Sequence, residues 1–585
     1  MFFKTRVRRA GGVALVLLSL ALPAAAQSRV TFTHGVACGE PTSTDLVLWT
    51  RTASPATLTP ELVDDKGGVQ RTLPPVRTVP DTDFTVKTTV GGLLPGAAVR
   101  YRFRGPAGEL SPTGVCRTAP SPDSVAPVTF GFSGDADWKW RPYPVLNALT
   151  KESLDFFVFL GDTIYETTDQ QGTMVAEDLA GYRAKYRENR ELPTSLVVPG
   201  ADPQPAVPLR GLYASFGMFS VPDNHELGTS VADPAAPRYT EGGAPAAPKA
   251  DQLVNRTPGF DDRLRAYEEY QPLRQRLVAD TGDARVDGTR RLYFSQPWGK
   301  TARLIVVDDR SYRDIRLPNS DDPRAGDPNR TMLGAPQLAW LEDELATAQN
   351  QGVTWKFVVV SSPIQHIGRP SEIGSDLDGT KSWEGGYRVE RDRLLKFIDD
   401  QAIDNVVFLT TDNHNTMINN LDYRATPEDP TAPLVPARNA FEIVTGPLGA
   451  NFGFPAVKAD LTGLTGRDAE RRAAQTLAGD VPNSDGELRG QRQAGVHPIG
   501  LDPGLGLVPE SIVAEGGPDG VPEPAAFASF NTFSYAVLSV QDTLLTVRIT
   551  GQPAQNASEL LDAAALARFA NMPSHTILQF QVRGN

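Results

Sequence analysis

Short apolar runs separated by clusters of Gly, Pro, Asp and Ser recur through the first part of the chain. The runs "RVTFTHGVACGE", "DLVLWTRT", "FTVKTTV" and "VRYRFRG" are rich in β-branched and aromatic residues and alternate in part, a pattern that predicts short strands. Their spacing is typical of a small β-sandwich. We therefore predict an N-terminal β domain over residues 27–120, followed by a linker at "TAPSPDSVAP".

From Val128 the pattern changes to apolar runs that each end in polar residues. These runs are "VTFGFSGD", "LDFFVFLGD", "GMFSVPDNHE", "ARLIVVDDR", "WKFVVVSSP" and "NVVFLTTDNHN", and helical patterns such as "GAPQLAWLEDELATAQNQG" and "RVERDRLLKFIDDQA" lie between several of them. Buried strands alternating with helices predict an α/β domain over residues 121–585. Within it, residues 228–258 and 450–525 have loop-like compositions and are predicted to be long loops.

The first residues of the chain have the pattern of an export signal. A basic region made by Lys4, Arg6, Arg8 and Arg9 precedes the apolar segment "VALVLLSLALP" and the small residues "AAAQ", which predicts a signal peptide over residues 1–26. The arginine pair leaves both general secretion and twin-arginine export open. We expect a periplasmic or extracellular protein, with no other stretch long and apolar enough to cross a membrane.

Net charge and cysteine content further limit the classes of protein to which this chain can belong. The 585 residues include 57 basic and 70 acidic ones, a net charge of −13, so non-specific binding to nucleic acid is not expected. In an oxidising compartment Cys38 and Cys116 would form a disulfide, with two buried thiols as the alternative. The sequence does not determine the oligomeric state, and a monomer is the simplest expectation.

Polar side chains that suit metal binding follow several of the predicted strands. They are Asp135 and Asp137, Asp162 and Tyr165, Asn224 and His225, His366, and Asp412 and His414. Strand ends of an α/β sheet usually carry its chemistry, and carboxylates gathered there would repel one another unless a multivalent cation were bound. Oxygen-rich ligands favour hard cations such as Fe³⁺, Mn²⁺, Mg²⁺ or Ca²⁺. His366 is either a ligand or a loop histidine.

The order of these clusters resembles the calcineurin-like metallophosphoesterase pattern of Asp-x-His, Gly-Asp, Gly-Asn-His-Asp/Glu, a lone His and Gly-His-x-His. More closely, "THGVACGEPTSTDLVLWTRT", "AYEEYQPLR", "LIVVDDRSYR", "LGAPQLAWLEDEL" and "VVFLTTDNHN" are similar to successive blocks of the alkaline phosphatase D family. The resemblance covers nearly all of the mature chain outside the loops. It implies a four-layer sandwich of two mixed sheets flanked by helices, preceded by a fibronectin type III-like or immunoglobulin-like sandwich.

The resemblance also implies roles for individual residues. Asp162 matches a carboxylate that bridges two metals, Asn224 an amide ligand, and His225 an imidazole that contacts the phosphate and protonates the leaving oxygen. Tyr165 matches a phenolate ligand, which implies Fe³⁺ at one site, with Ca²⁺, Mn²⁺, Mg²⁺ or Zn²⁺ at the other. The remaining expected ligands are Asp135, Asp412, His414 and Asp137, the last either as a ligand or as a neighbouring acceptor.

The chain departs from the family pattern at two places. Ser133-Gly134-Asp135 stands where the family commonly has Ser-Cys, whose cysteine is an iron ligand, so the identity of the first metal is open. Asp223 replaces the glycine before Asn-His.

Three further residues are expected to act near the site. We expect Glu226 to orient His225. Arg141 and Arg310 are candidates for binding phosphate, whose geometry the guanidinium group matches, with ion pairing as their alternative role.

These features predict a secreted hydrolase that cleaves small phosphate mono- or diesters with a hydroxide held by two metals. A phospholipase D-like phosphodiesterase is the first alternative, because the contacts that select mono- or diesters lie in loops. A non-catalytic exported binding protein is the second, and it would be expected to have lost metal ligands that are retained here.

Overall fold

The structure, a computed structural model, describes most of the chain outside several segments. The described residues are 29–166, 178–193, 207–227, 253–315, 323–365, 383–450, 501–514, 525–529, 532–554 and 571–585, together with a few isolated positions. Apart from Met1, the predicted signal peptide lies outside the described residues, and so does His366.

Strands and helices are numbered in chain order. The strands are β1 (Phe32–Gly39), β2 (Leu46–Thr52), β3 (Ala56–Val63), β4 (Val69–Thr72), β5 (Val76–Thr78), β6 (Thr85–Val90), β7 (Ala98–Arg104), β8 (Gly114–Arg117), β9 (Val128–Ser133), β10 (Phe156–Phe159), β11 (Gly217–Ser220), β12 (Phe294–Trp298), β13 (Ala302–Val306), β14 (Trp355–Val359), β15 (Val406–Thr410), β16 (Thr416–Arg424), β17 (Leu434–Val444), β18 (Leu507–Ala514), β19 (Ala525–Ser529), β20 (Thr532–Gln541), β21 (Leu544–Pro553) and β22 (His575–Arg583). The helices are α1 (Leu146–Leu149), α2 (Leu179–Asn189), α3 (Pro208–Ser215), α4 (Asn224–Leu227), α5 (Phe260–Tyr270), α6 (Ala335–Asn350), α7 (Trp383–Gly386) and α8 (Arg388–Asp400).

Local sequence accounts for these elements. The run "FFVF" of β10 is apolar at every position and fully buried, as expected of a strand covered on both faces. Helix α6 has a proline in its first turn and buries Leu341, Leu345 and Ala348, whose spacing places them on one face of the helix. The segments with strand-like and helix-like patterns are therefore strands and helices in the structure.

Two mixed sheets form the body of the fold. The first has the strand order β18-β22-β21-β20-β9-β10-β11-β1-β2-β6, with β9, β10, β11 and β1 parallel. The second has the order β12-β13-β14-β15-β17-β16-β19, with β13, β14, β15 and β17 parallel. Because the parallel strands of a sheet end at the same edge, the segments that follow them lie side by side.

The two sheets pack face to face and are covered by helices on their outer faces. Phe130 of the first sheet lies 4.9 Å from Phe357 of the second, ring centroid to ring centroid, in an edge-to-face contact within the shared core. Residues of α2, α3 and α5 pack with the outer face of the first sheet, and residues of α6 and α8 pack with that of the second. The predicted four-layer sandwich is confirmed.

The N-terminal strands form a sandwich that is continuous with the main fold. Strands β4-β3-β7-β8, with β5 beside β3, form a separate sheet that shares a core with β1 and β2. However, β1 also pairs with β11, so β1, β2 and β6 extend the first large sheet across the domain boundary predicted near residue 120. The disulfide between Cys38 and Cys116 is present and ties β1 to β8.

Parts of the two predicted long loops lie among the described residues. The prediction of a loop over residues 450–525 is wrong for 507–514, which form β18 at the edge of the first sheet. Pro509 lies there between the register positions of Val508 and Val513, and proline is tolerated at an edge strand or bulge. In the other loop, Leu253 bridges to Asp314. None of the helices among the described residues is long and apolar enough to span a membrane.

Candidate metal centre

The loops that follow β9, β10, β11 and β15 bring polar side chains to one place. A first group consists of Asp135, Asp162 and His414, whose potential ligand atoms all lie within 4.8 Å of one another. Both carboxylates are buried, and His414 Nε2 lies 3.5 Å from Asp135 Oδ1. The hydroxyl of Tyr165 lies 2.9 Å from the same His414 nitrogen, so the phenol borders this group.

A second group shares one carboxylate with the first. Asp162, Asp223 and Asp412 also place ligand atoms within 4.8 Å of one another. Asp162 therefore belongs to both groups of side chains that could hold a metal ion. Asp223 was not predicted to be a ligand, because the sequence marked it only as a substitute for glycine.

The backbone at the site adopts conformations that are uncommon for residues other than glycine. Four members of the two groups have left-handed backbones, with φ of 60° at Asp135, 49° at Asp162, 68° at Asp412 and 54° at His414. Non-glycine residues in this region are uncommon and cluster at functional sites. Gly161, with φ of 92°, has no room for a side chain because a Cβ atom there would lie 2.5 Å from Asp223 Cβ.

The cluster is electrostatically costly without a cation. Burial raises the pKa of the Asp162 carboxyl well above its ordinary value, and the carboxylates of Asp223, Glu226 and Asp135 raise it further. Burial, and after it the carboxylates of Asp162, Asp135 and Asp137, also raise the pKa of the Tyr165 hydroxyl well above its usual range. A multivalent cation bound among these groups would remove the penalty.

The donor atoms fit metal ions. Asn224 is buried, and its Oδ1 atom has no hydrogen-bond partner among the described residues. Asp135 Oδ1 is likewise buried without a hydrogen bond, apart from its ionic contact with His414. Buried acceptors in native structures are nearly always satisfied, so these two oxygens are suited to metal coordination.

Glu226 does not orient His225, contrary to the prediction. Its carboxylate accepts hydrogen bonds from the backbone N–H groups of Asp162, Thr163 and Asp223, and from the Thr163 hydroxyl. The physical reason is that residues 224–227 form the short helix α4, and adjacent residues of a helix point in different directions. The Nδ1 atom of His225 instead lies 2.6 Å from Glu166 Oε2.

Asp137 lies outside both groups of potential ligands. Its carboxylate accepts a hydrogen bond of 3.1 Å from the Lys139 backbone N–H and caps the short helix Trp138–Trp140. This favours the alternative that Asp137 is a neighbouring acceptor.

The two predicted phosphate-binding arginines are buried and engaged with the protein. Arg141 donates to the backbone carbonyls of Trp138, Glu188 and Glu191, which favours a structural role over a contact with phosphate. The Arg310 guanidinium has no exposed surface and contacts Asp223 Oδ1 at 2.5 Å and Asp412 Oδ2 at 3.1 Å. Arg310 thus balances charge in the second group, which corresponds to the ion-pairing alternative.

Two functional candidates, Asp223 and Glu166, were missed by sequence reasoning. A clue to Asp223 was present in the sequence, because "PDNHE" has a carboxylate in place of the glycine directly before Asn-His. Glu166 stands next to Tyr165 in "GDTIYE", but its contact with His225 spans 59 residues of sequence. No local pattern reports such a contact.

Two facing mixed sheets between helices, with carboxylates and imidazoles gathered beyond their parallel strands, define the metallophosphoesterase class of fold. A family model described as PhoD-like phosphatase matches residues 130–497, and one described as the PhoD-like phosphatase N-terminal domain matches residues 18–120. The chain belongs to the PhoD-like phosphatase family, a family of phosphoric ester hydrolases. The family resemblance seen in the sequence is confirmed.

Individual proteins are similar to this chain in sequence or in fold. Alkaline phosphatase D of Bacillus subtilis (strain 168) is 27% identical over an alignment of 443 residues. The match covers 67% of this chain and 66% of that protein, just under two thirds of its length. A solved structure of PhoD is similar in fold, with a TM-score of 0.65 and 20% identity over 95% of this chain and 91% of the other. The structure of purple acid phosphatase PPD1 from yellow lupin (Lupinus luteus) seeds has a TM-score of 0.48 and 10% identity, covering 94% of this chain and 74% of the other.

Proposed function

We propose that this protein is an exported, metal-dependent hydrolase of small phosphate esters. The observation that carries the proposal is the sharing of Asp162 by two groups of buried ligands. One carboxylate shared by two ligand sets would suit a pair of cations, the arrangement that two-metal phosphatases use. Membership of the PhoD-like phosphatase family supports the same class of reaction.

The residues divide naturally between two cations. The first would be held by Asp135, Asp162, His414 and Tyr165. Because burial and negative neighbours oppose ionisation of the Tyr165 hydroxyl, a phenolate there requires a highly charged cation, and we propose Fe³⁺. The second cation would be held by oxygen ligands from Asp162, Asn224 and Asp412, with Asp223 as a further candidate; this donor set suits Ca²⁺, Mn²⁺ or Mg²⁺.

When bound, the two cations would lower the pKa of a coordinated water and offset the charge on the phosphoryl oxygens. The protein itself positions the ligands and supplies the proton donor. The fixed strand-end loops hold the ligands in place, and the backbone N–H of His225 donates to Asp162 Oδ1 at 3.0 Å. The His225 ring is partly exposed, with its side chain 14% accessible, so it can reach a bound ester and donate a proton to the departing oxygen.

The proposal also includes the export of the protein, the size of its substrate and its oligomeric state. The disulfide Cys38–Cys116 supports an oxidising compartment, where such bonds persist, and the basic-apolar N-terminal pattern supports a cleaved signal. The substrate would be a small mono- or diester, with no nucleic-acid scaffold, and we propose a monomeric enzyme.

The test combines metal analysis with an ester panel. The purified mature protein is analysed for metals and assayed with p-nitrophenyl phosphate and bis(p-nitrophenyl) phosphate, before and after chelation. We expect bound metal, hydrolysis of at least one ester, and loss of hydrolysis on chelation that added metal reverses. The ratio of the two rates assigns mono- or diester preference. A folded protein that retains its metals and cleaves neither ester would refute the proposal.

A further inference from the structure

A buried chain of hydrogen bonds links the end of helix α5 to the loop that carries Asp162. Its central group is the hydroxyl of Thr163, the residue that follows Asp162 in the sequence. The Thr163 Oγ1 atom lies 2.6 Å from Glu226 Oε1 and 3.3 Å from Gln271 Nε2. All three side chains are buried, so water does not compete for these contacts.

The direction of each hydrogen bond follows from the chemistry of the groups. An ionised carboxylate only accepts hydrogen bonds, so the Thr163 hydroxyl donates its single hydrogen to Glu226. The hydroxyl oxygen is then left to accept from the amide of Gln271. The Oε1 atom of Gln271 in turn accepts a hydrogen bond of 2.9 Å from the Tyr213 hydroxyl, and these two contacts fix the orientation of the amide.

At its other end the chain reaches the backbone of two candidate metal ligands. Glu226 Oε2 accepts hydrogen bonds from the backbone N–H of Asp162 at 2.9 Å and from that of Asp223 at 2.8 Å. The two aspartates follow different strands, β10 and β11, and both belong to the second group of ligands. A side chain that orients Glu226 therefore controls how these two ligands are placed relative to each other.

Helix α5 gives the chain a fixed base. The indole N–H of Trp49, on β2, donates to the Glu269 carbonyl at 2.8 Å, and Lys87 Nζ, on β6, donates to the Glu268 carbonyl at 2.6 Å. Both acceptors lie in the last turn of α5, where carbonyls have no partner within the helix. The N-terminal strands thus hold the helix end from which Gln271 extends.

We propose that Thr163 is a positioning residue of the metal centre, whose hydroxyl holds Glu226 so that Asp162 and Asp223 keep the arrangement that a cation needs; this rests on the proposed function. Thr163 does not itself bind metal. Groups that hold metal ligands in place typically change metal affinity by about 10–100-fold when they are lost. Loss of the hydroxyl would also leave the buried Glu226 carboxylate with one donor fewer, which is costly for a charged group.

The test measures metal affinity rather than activity. Thr163→Val removes the hydroxyl but keeps the branched side chain and the backbone N–H. The full chain is stripped of metal with a chelator, and Mn²⁺ is then titrated into wild type and variant. We expect the Kd for Mn²⁺ to rise by at least about tenfold in Thr163→Val. Thr163→Ser, which keeps the hydroxyl, should bind Mn²⁺ within about threefold of wild type.

A matched control and a double-mutant cycle separate positioning from general stability. The control is Thr50→Val, because Thr50 is a buried threonine of β2 whose hydroxyl donates to the Gly35 carbonyl at 2.8 Å; it should leave the Kd for Mn²⁺ unchanged. Gln271→Met should raise the Kd by about threefold on its own. It should add nothing in a Thr163→Val background, and alone it provides the test if Thr163→Val does not fold.

The outcomes distinguish this inference from the hydrolase function. Unchanged Mn²⁺ affinity in Thr163→Val, equal losses in Thr163→Val and Thr163→Ser, or an equal loss in Thr50→Val would overturn the role of the Thr163 hydroxyl and leave the hydrolase function intact. If Thr163→Val does not fold, unchanged affinity in Gln271→Met would do the same. A wild-type protein that binds Mn²⁺ but cleaves neither ester would overturn the hydrolase function, while the Kd values would still decide the inference. A wild-type protein that binds no Mn²⁺ would overturn the inference.

Discussion

Removal of the Arg310 charge should destabilise the protein in a way that depends on metal. The guanidinium is completely buried and contacts Asp223 and Asp412, which share a group with Asp162. Arg310→Met would leave the carboxylates of Asp223 and Asp412 without this cationic partner. Two unit charges no more than 4.8 Å apart repel by at least about 3.5 kcal/mol at an effective dielectric constant of about 20. Breaking a buried ion pair typically costs about 3–5 kcal/mol.

Metal ions should offset most of this loss. Because a bound cation neutralises the same carboxylates, we expect Arg310→Met to lower the free energy of unfolding by about 3–5 kcal/mol in chelator and by less than half as much with saturating metal. Urea denaturation of wild type and variant under both conditions measures the difference. Arg310→Lys keeps the charge but lacks the planar fork that reaches both carboxylates, so its loss should be intermediate.

The matched control is Arg141→Met. Arg141 is also buried but donates only to backbone carbonyls in its observed hydrogen bonds. Arg141→Met should therefore lower the free energy of unfolding by the same amount with and without metal. An equal loss for Arg310→Met in the two conditions would refute the charge-balancing role. So would an unchanged stability accompanied by a higher KM for phosphate esters, which would restore the role in binding substrate.

Two further outcomes follow from the buried titratable groups. If Tyr165 ligates Fe³⁺, the purified protein should show a visible charge-transfer band that Tyr165→Phe removes; a colourless, active enzyme would contradict an iron–phenolate site. Burial raises the pKa of Glu390 from 4.5 to about 7. The folded state therefore holds this proton more tightly than the unfolded chain does, and stability should fall by about 3 kcal/mol as the pH rises from about 4.5 through 7. Glu390→Gln should remove that part of the pH dependence in urea titrations at pH 5 and pH 8, and an identical profile in both proteins would contradict it.

Much of the fold could be predicted because its strands are short, apolar and separated by distinct turns. The run "FFVF" predicts a strand that is covered on both faces, and this prediction does not require knowing which strands pair with it. Long-range pairing is different, since β1 joins β11 through Cys38 and Gly217, which are far apart in the sequence. Nothing in "THGVACGE" distinguishes a strand that stays within an N-terminal sandwich from one that also extends another sheet. The domain boundary predicted near residue 120 therefore does not coincide with a boundary between sheets.

The candidate site was predictable to the extent that it depends on strand ends. Asp162 and His414 each follow an apolar run, and the parallel strands carry both to one edge, where the structure groups them with Asp135. Side-chain direction could not be predicted in the same way. Glu226 adjoins His225 in the sequence, yet helix α4 turns its carboxylate towards the backbone of Asp162.

Contacts between distant segments of the chain could not be predicted from the sequence either. Glu166 reaches His225, and Arg310 reaches Asp223 across 87 residues. A guanidinium that matches phosphate geometry matches a carboxylate equally well. Only the placement of Arg310 in the buried core separates the two roles.

The most direct measurement is the metal content of Asp162→Asn, determined by elemental analysis beside the wild type. The substitution keeps the size of the side chain and removes the charge that both ligand groups share. We expect a folded protein that binds both cations at least about 100-fold more weakly and loses ester hydrolysis with them. A variant that keeps two tightly bound metals and cleaves esters at the wild-type rate would contradict a centre built around this carboxylate.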